Sequence, residues 1–199
     1  MTILHTKAGI GKYCLFVDWE TSGADFKTGD HTKFYQGLSY GVVIADSETF
    51  EPIDTLYREL QFDDTKYQWS DEAEAIHGMS REYLKEHGVS REEGLIDLLE
   101  FILKYIGSGK ICVGGHNVTF DLQFCRQLAN DFEMSMNFHH VVIETSALAF
   151  VAIGLYRSND VFPFFGAEKR GKHNALDDAL QSLAVARGIK QLVQTALEG

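Results

Sequence analysis

Apolar and polar positions along this 199-residue chain first alternate with the period of strands and later with the period of helices. "YCLFVDWE" reads as a strand, "YQGLSYGVVIAD" (Tyr35 to Asp46) as a second, and "IDTLYREL" (Ile53 to Leu60) as a third. The polar "ADSETFEP" between the last two predicts a hairpin connection. Ser70 and Ser80 are candidate N-caps of short helices, and Ser90 with Glu93 forms a capping box. Leu95, Leu98, Leu99, Ile102 and Ile106 then recur at helical spacing up to Gly107, a stop signal. "KICVGGHN" predicts a short buried strand running into a loop, "FDLQFCRQLANDF" a helix, "HVVIET" another strand, and "SALAFVAIG" a helix. "VFPFFG" reads as part of a long loop, its Phe162, Phe164 and Phe165 packing beneath it. A final helix runs from about Asn174 toward Leu197, with Leu176, Ala179, Leu180 and Leu183 inward. A three-strand meander followed by alternating helix and strand predicts an α/β fold, a mixed five-stranded sheet flanked by helices on both faces.

Composition narrows the class. Hydrophobic residues make up 45% of the chain, enough for a sizeable core and against disorder. The length fits a single domain, 1–199. Three scattered cysteines without a CxxC pair argue against a disulfide framework and a zinc site. No apolar run approaches membrane-spanning length and the amino terminus lacks a signal-peptide core, so the expectation is a soluble, cytoplasmic protein. A net charge of −11 argues against a coat for long nucleic acid but not against an enzyme holding a few nucleotides.

The charge is also unevenly placed. Asp18 and Glu20 end the first strand and point to one side of it, where like charges repel. Asp121 opens a helix after the fourth strand, and "HNALDDA" (His173 to Ala179) opens the last helix. Strand ends and helix starts are where sites gather in α/β sheets. Carboxylates from three distant segments suit hard cations such as Mg²⁺ or Mn²⁺, which turn the repulsion into ligation. Paired cations of this kind activate water and clamp the oxygens of a phosphodiester, and a nearby histidine can take the proton.

Three motifs then carry a resemblance. D-x-E-T matches Asp18, Glu20 and Thr21; H-N-x-x-F-D matches His116, Asn117, Phe120 and Asp121; H-x-A-x-x-D matches His173, Ala175 and Asp178. With "IHGMS" (Ile76 to Ser80), they come in order over most of the chain, which resembles a DEDDh-type 3′–5′ exonuclease of the DnaQ-like family on a ribonuclease H-like fold. The resemblance implies that Asp18, Glu20, Asp121 and Asp178 hold two divalent cations, Mg²⁺ or Mn²⁺, with His173 as general base. It implies that Thr21 holds the terminal nucleotide, that His77, Met79 and Phe120 line the base pocket, and that Asn117 fixes the backbone near the scissile phosphate. The implied substrate is the 3′ end of single-stranded DNA or RNA, released as nucleoside 5′-monophosphates. A second-level resemblance to ribonuclease T-like members rests on Phe26 and on "MNFHHVVIETSALAFVAIG".

Several positions keep two readings. Helical periodicity does not choose between Asp177 and Asp178; Asp177 sits nearer the apolar face, and only the family spacing selects Asp178. His77 reads equally as pocket lining or as surface, and His116 as support for its loop. Lys169, Arg170 and Lys172 read as a solvated loop or, beside the acids and by preference, as phosphate contacts, and Phe162, Phe164 and Phe165 as base-stacking rings or, by preference, as core packing. The alternative function is a catalytically idle ribonuclease H-like module that binds nucleic acid or a partner, and a third is an editing subunit of a polymerase.

Overall fold

The computed structural model describes residues 10–167 and 172–199. Five strands form one sheet: β1 (Tyr13–Thr21), β2 (Gly37–Asp46), β3 (Pro52–Glu59), β4 (Ile111–Gly115) and β5 (Phe138–Glu144). Their order is β3-β2-β1-β4-β5, so β1 lies at the centre. It pairs antiparallel with β2 and parallel with β4, as the predicted mixed sheet requires. The described helices are α1 (Asp71–His77), α2 (Arg81–His87), α3 (Arg91–Ile106), α4 (Val118–Asn130), α5 (Thr145–Ile153), α6 (Ser158–Phe164) and α7 (Ala175–Glu198). One 3₁₀ turn, His31–Lys33, follows β1.

The alternation in β1 divides the core. Leu15, Val17 and Trp19 pack with α3 and α4 on one face, around Leu95, Leu98, Leu122 and Phe124. Cys14 and Phe16 pack on the other face against Ala179, Leu183 and Ala186 of α7. Asp18 and Glu20 continue the even-numbered series and so fall on the α7 side. Helices therefore cover both faces, and each face removes its apolar side chains from water.

The start of α7 comes unusually close to the sheet. Gly41 pairs with Asp18 across β1 and β2. A Cβ at Gly41 would lie 2.2 Å from both the N and the Cα of Leu176. The missing side chain lets the first turn of α7 rest directly beside Asp18. The helix docks through Ala175, Ala179, Ser182 and Ala186, all buried, while Leu176 and Leu180 are only half-buried. This rotates the buried arc from the expected leucine-centred one. Asp178 is buried at 4% exposure and Asp177 is exposed, the reverse of what the apolar pattern alone suggests.

The serine caps are present. Ser70, Ser80 and Ser90 accept from the amides of Ala73, Tyr83 and Glu93, each supplying one of the donors that a helix start leaves unsatisfied. The expected loop around "VFPFFG" is instead largely α6. Val161 and Phe162 are buried against Ala149, Val185 and Ile189, whereas Phe164 is exposed, so the three phenylalanines do not share one packed environment.

Candidate active site

β4 stops at Gly115, opposite the middle of β1, so the last residues of β1 pair with β2 on one side and leave a gap on the other. Into that gap comes the start of α4. Asp121 is 3% exposed, and its Oδ1 accepts from the Trp19 amide at 3.0 Å. Trp19 lies between Asp18 and Glu20, so this bond fixes Asp121 beside both. Burial, with the Glu144 and Glu20 carboxylates nearby, pushes the Asp121 carboxyl well above the usual carboxylate range. The β1–β2 register shifts between Glu20 and Thr21. Such an irregularity re-aims side chains at a strand end.

Glu20, His173 and Asp178 each offer a ligand atom, and these atoms lie within 4.8 Å of one another. Glu20 is 8% exposed. The Asn174 side chain caps α7 by accepting from Leu176 and Asp177, which sets the register that turns Asp178 inward. His173 Nδ1 lies 3.5 Å from Asp178 Oδ2, and the imidazole is 37% exposed. It thus meets both the acids and solvent. Glu20 of β1 and Asp178 of α7 meet with His173 in a group that does not include Asp18 or Asp121, while Asp121 of α4 lies close enough to Glu20 to feel its charge. A donor set of oxygens and one imidazole fits a divalent cation.

A second layer holds these groups. Asn117, in the left-handed conformation, has an exposed side chain at the start of α4. The Glu144 carboxylate accepts from the amides of Asn117 and Val118, both at 2.8 Å, and from Ser146. One acid therefore caps α4 and α5 together. Thr145 Oγ1 donates to the Gly115 carbonyl and contacts His116 Nδ1, while His116 Nε2 contacts the Tyr156 carbonyl at 2.8 Å. These bonds give His116 the loop-supporting place expected of it. Glu144 is the main residue that local reading misses. Glutamate is not among the usual N-cap residues, so its position before α5 carries no local signal.

The "IHGM" segment joins the site from the side. His77 is 6% exposed, so the surface reading is excluded. Its Nδ1 accepts from Met79, and burial lowers its pKa, with Glu74 acting the other way. The His173 amide donates to the Ile76 carbonyl at 3.3 Å, and Lys172 lies across Gly78. Met79 is buried against Leu38 and Leu84, which anchors the loop. Lys169 and Arg170 lie outside the described residues.

Thr21 is buried and donates to the Gly23 carbonyl. Phe26, by contrast, is 88% exposed. His31 stands between it and the site, with ring centroids 5.7 Å from Phe26 and 4.8 Å from Phe120. His31 Nδ1 accepts from the Asp25 amide at 3.0 Å, so the ring is held within its own loop, and Phe120 joins it from a distant segment.

The metal-free cost of burying Asp121 yields a prediction. Asp121→Asn keeps an oxygen for the Trp19 amide and removes the buried charge. Its Tm in EDTA is expected to exceed the wild-type value, by about 2–4 °C for each kcal/mol relieved. The Tm gain that wild type shows on adding Mg²⁺ or Mn²⁺ should be lost in the variant. Thermal scans with EDTA and with each cation check both statements.

A mixed sheet in this order, flanked by helices on both faces, is the ribonuclease H-like architecture. An exonuclease family model, RNase_T, matches residues 16–186. The chain belongs to that exonuclease family, the DEDDh-type, DnaQ-like 3′–5′ exonucleases, which use divalent metal ions. No curated protein sequence matches the chain. Among solved structures it is similar to E. coli exonuclease I in complex with a dT13 oligonucleotide: TM-score 0.74 and 16% identity over 94% of this chain and 43% of that one. The zinc-ion-bound E. coli exonuclease I–ssDNA complex gives 0.72 and 17%, over 91% of this chain and 41% of that one. At such identity the likeness is one of fold, and the chain spans about two fifths of those proteins.

Proposed function

We propose that this protein is a metal-dependent 3′–5′ exonuclease that removes nucleoside 5′-monophosphates from single-stranded DNA or RNA. The observation that carries this reading is the meeting of Glu20, His173 and Asp178 within 4.8 Å. Asp18, Glu20, Asp121 and Asp178 would hold two divalent cations, Mg²⁺ or Mn²⁺, whose charge acidifies water and offsets charge developing on the phosphate oxygens.

The chain's own groups do the rest. His173 takes the proton of the attacking water. Its Nδ1 faces Asp178, so the imidazolium formed is stabilised by that carboxylate. Partial exposure of the ring lets it return the proton to solvent. Water's oxygen bonds to phosphorus, the bond to the 3′ oxygen breaks, and that oxygen takes a proton from solvent as the shortened strand leaves with a new 3′-hydroxyl. Thr21 and the turn after it hold the terminal nucleotide. His77, Met79 and Phe120 line its base, Phe26 closes over it from outside, and Asn117 steadies the scissile phosphate.

We read residues 1–199 as one exonuclease domain of a soluble, cytoplasmic protein. Three buried cysteines, none in a disulfide, suit a reducing compartment. No described helix is long and apolar enough to cross a membrane.

The test separates a base from a ligand. His173→Ala is expected to lower the rate on a labelled oligonucleotide by about 10²–10⁴-fold, the usual contribution of one proton-transfer group. Metal affinity, measured by calorimetry, should stay near wild type. The wild-type rate at saturating metal should rise with pH as the imidazole loses its proton, and that limb should disappear in the variant. An unchanged rate and profile would remove His173 from the mechanism, and lost metal affinity would make it a ligand. Running DNA and RNA oligonucleotides in parallel identifies the preferred sugar.

A further inference from the structure

Beyond the metal end of the site lies a groove that no motif marks. It encloses about 410 Å³ between the 3₁₀ turn, the Lys66–Tyr67 segment and the outer face of α4. Its α4 side is made by Gln123, Arg126 and Gln127, beginning one helical turn after Phe120. Its other side carries Lys33 and Lys66.

Two features connect this groove to the active site. The rings of Phe120, His31 and Phe26 form a continuous series leading outward from the residue next to Asp121. The His31 amide donates to Gln123 Oε1, and Gln127 Nε2 donates to the carbonyls of Thr32 and Tyr35. The 3₁₀ turn is thereby fastened along α4, and ring series and groove form one surface.

The charge of the groove is opposite to that of the chain. Asp131, on its wall, is shared by Lys66, Arg91 and the Tyr67 hydroxyl, so two cations cover one acid. Asp30 is the other acid of the lining. Lys33 and Arg126 are both exposed at the surface, the former over the Phe34 ring and the latter over Phe138. In a protein of net charge −11, a groove with a cationic excess that continues an aromatic series has the chemistry of a single-strand track.

We propose that this groove holds the phosphates of the strand leading into the active site, with Lys33 and Arg126 as contacts and His31 as a base-stacking residue between Phe120 and Phe26. The proposal rests on the exonuclease reading for the direction of the strand, but its binding chemistry stands separately. Track contacts act on nucleotides away from the cleaved end. They therefore set affinity for long substrates and leave the bond-breaking step alone.

The test measures binding of fluorescein-labelled dT12 by anisotropy in EDTA, for wild type, Lys33→Glu, Arg126→Glu and the double variant. Turnover of thymidine 5′-monophosphate p-nitrophenyl ester, which is too short to reach the groove, is measured in parallel. The double variant should raise Kd by about tenfold or more. The slope of log Kd against log salt should fall by about 1.4, two phosphate contacts on a single strand. Ester turnover at the wild-type rate shows that the variants are folded. His31→Ala should weaken dT12 binding without changing the salt slope, because stacking releases no counterions. Unchanged Kd and slope in the double variant would overturn the track. If wild type fails to cleave the ester and any oligonucleotide, the exonuclease reading falls, while the anisotropy result still decides the groove.

Discussion

Asp18→Ala is expected to lower turnover by about 10³-fold or more while leaving a folded protein. The side chain projects from the central strand toward the start of α7, opposite Gly41. It belongs to the same strand side as Glu20, so on the proposed assignment its loss removes one of the carboxylates that would hold the cations. Losing several kcal/mol of charge stabilisation at the reacting phosphate corresponds to that factor. Stability should move the other way. Removing one of two like charges on a strand relieves repulsion when no cation is bound. Tm in EDTA should therefore equal or exceed the wild-type value. Near-normal turnover by a correctly folded Asp18→Ala protein would show that the acids do not act together.

Asp178→Asn is expected to abolish measurable activity, and Asp177→Asn to preserve most of it. The two residues are adjacent and chemically alike, so their difference is one of placement. Asp178 is buried beside Glu20 and His173, whereas Asp177 faces solvent in the first turn of α7. There Asp177 contributes at most the modest helix-dipole stabilisation of an exposed acid, about 0.3–1 kcal/mol. Initial rates for both variants under identical metal concentrations make the comparison. Activity lost at 177 and kept at 178 would mean that α7 is turned by one residue relative to this structure.

The same pair shows why part of the site is hidden from local reading. An arc through Leu176, Leu180 and Leu183 favours Asp177, because it weights side-chain size. The helix docks through Ala175, Ala179, Ser182 and Ala186 with Leu183, while Leu176 and Leu180 are only half-buried, since Gly41 lets its backbone approach the sheet. The glycine sits far away in sequence, and no window along α7 contains that information. The family spacing selected Asp178 without it.

Other elements were legible for local reasons. The strands β1, β2 and β3 follow from their apolar runs and the hairpin between them, and the short helices follow from Ser70, Ser80 and Ser90. α6 was not legible because Pro163 and clustered phenylalanines resemble a loop. It is instead held by burial of Val161 and Phe162 against α5 and α7. Glu144 and His31 act between segments, one capping two helices and the other bridging two aromatic rings, so neither leaves a periodic trace.

A single-stranded oligonucleotide labelled at its 5′ end, incubated with the protein and Mg²⁺ or Mn²⁺, gives the most direct measurement. The predicted result is a ladder shortened one nucleotide at a time from the 3′ end, with nucleoside 5′-monophosphates as the released product. EDTA and the Asp18→Ala substitution should each stop it. A protein that binds the strand and is stabilised by the cation, yet releases no mononucleotide, would contradict the exonuclease assignment and leave an idle binding module.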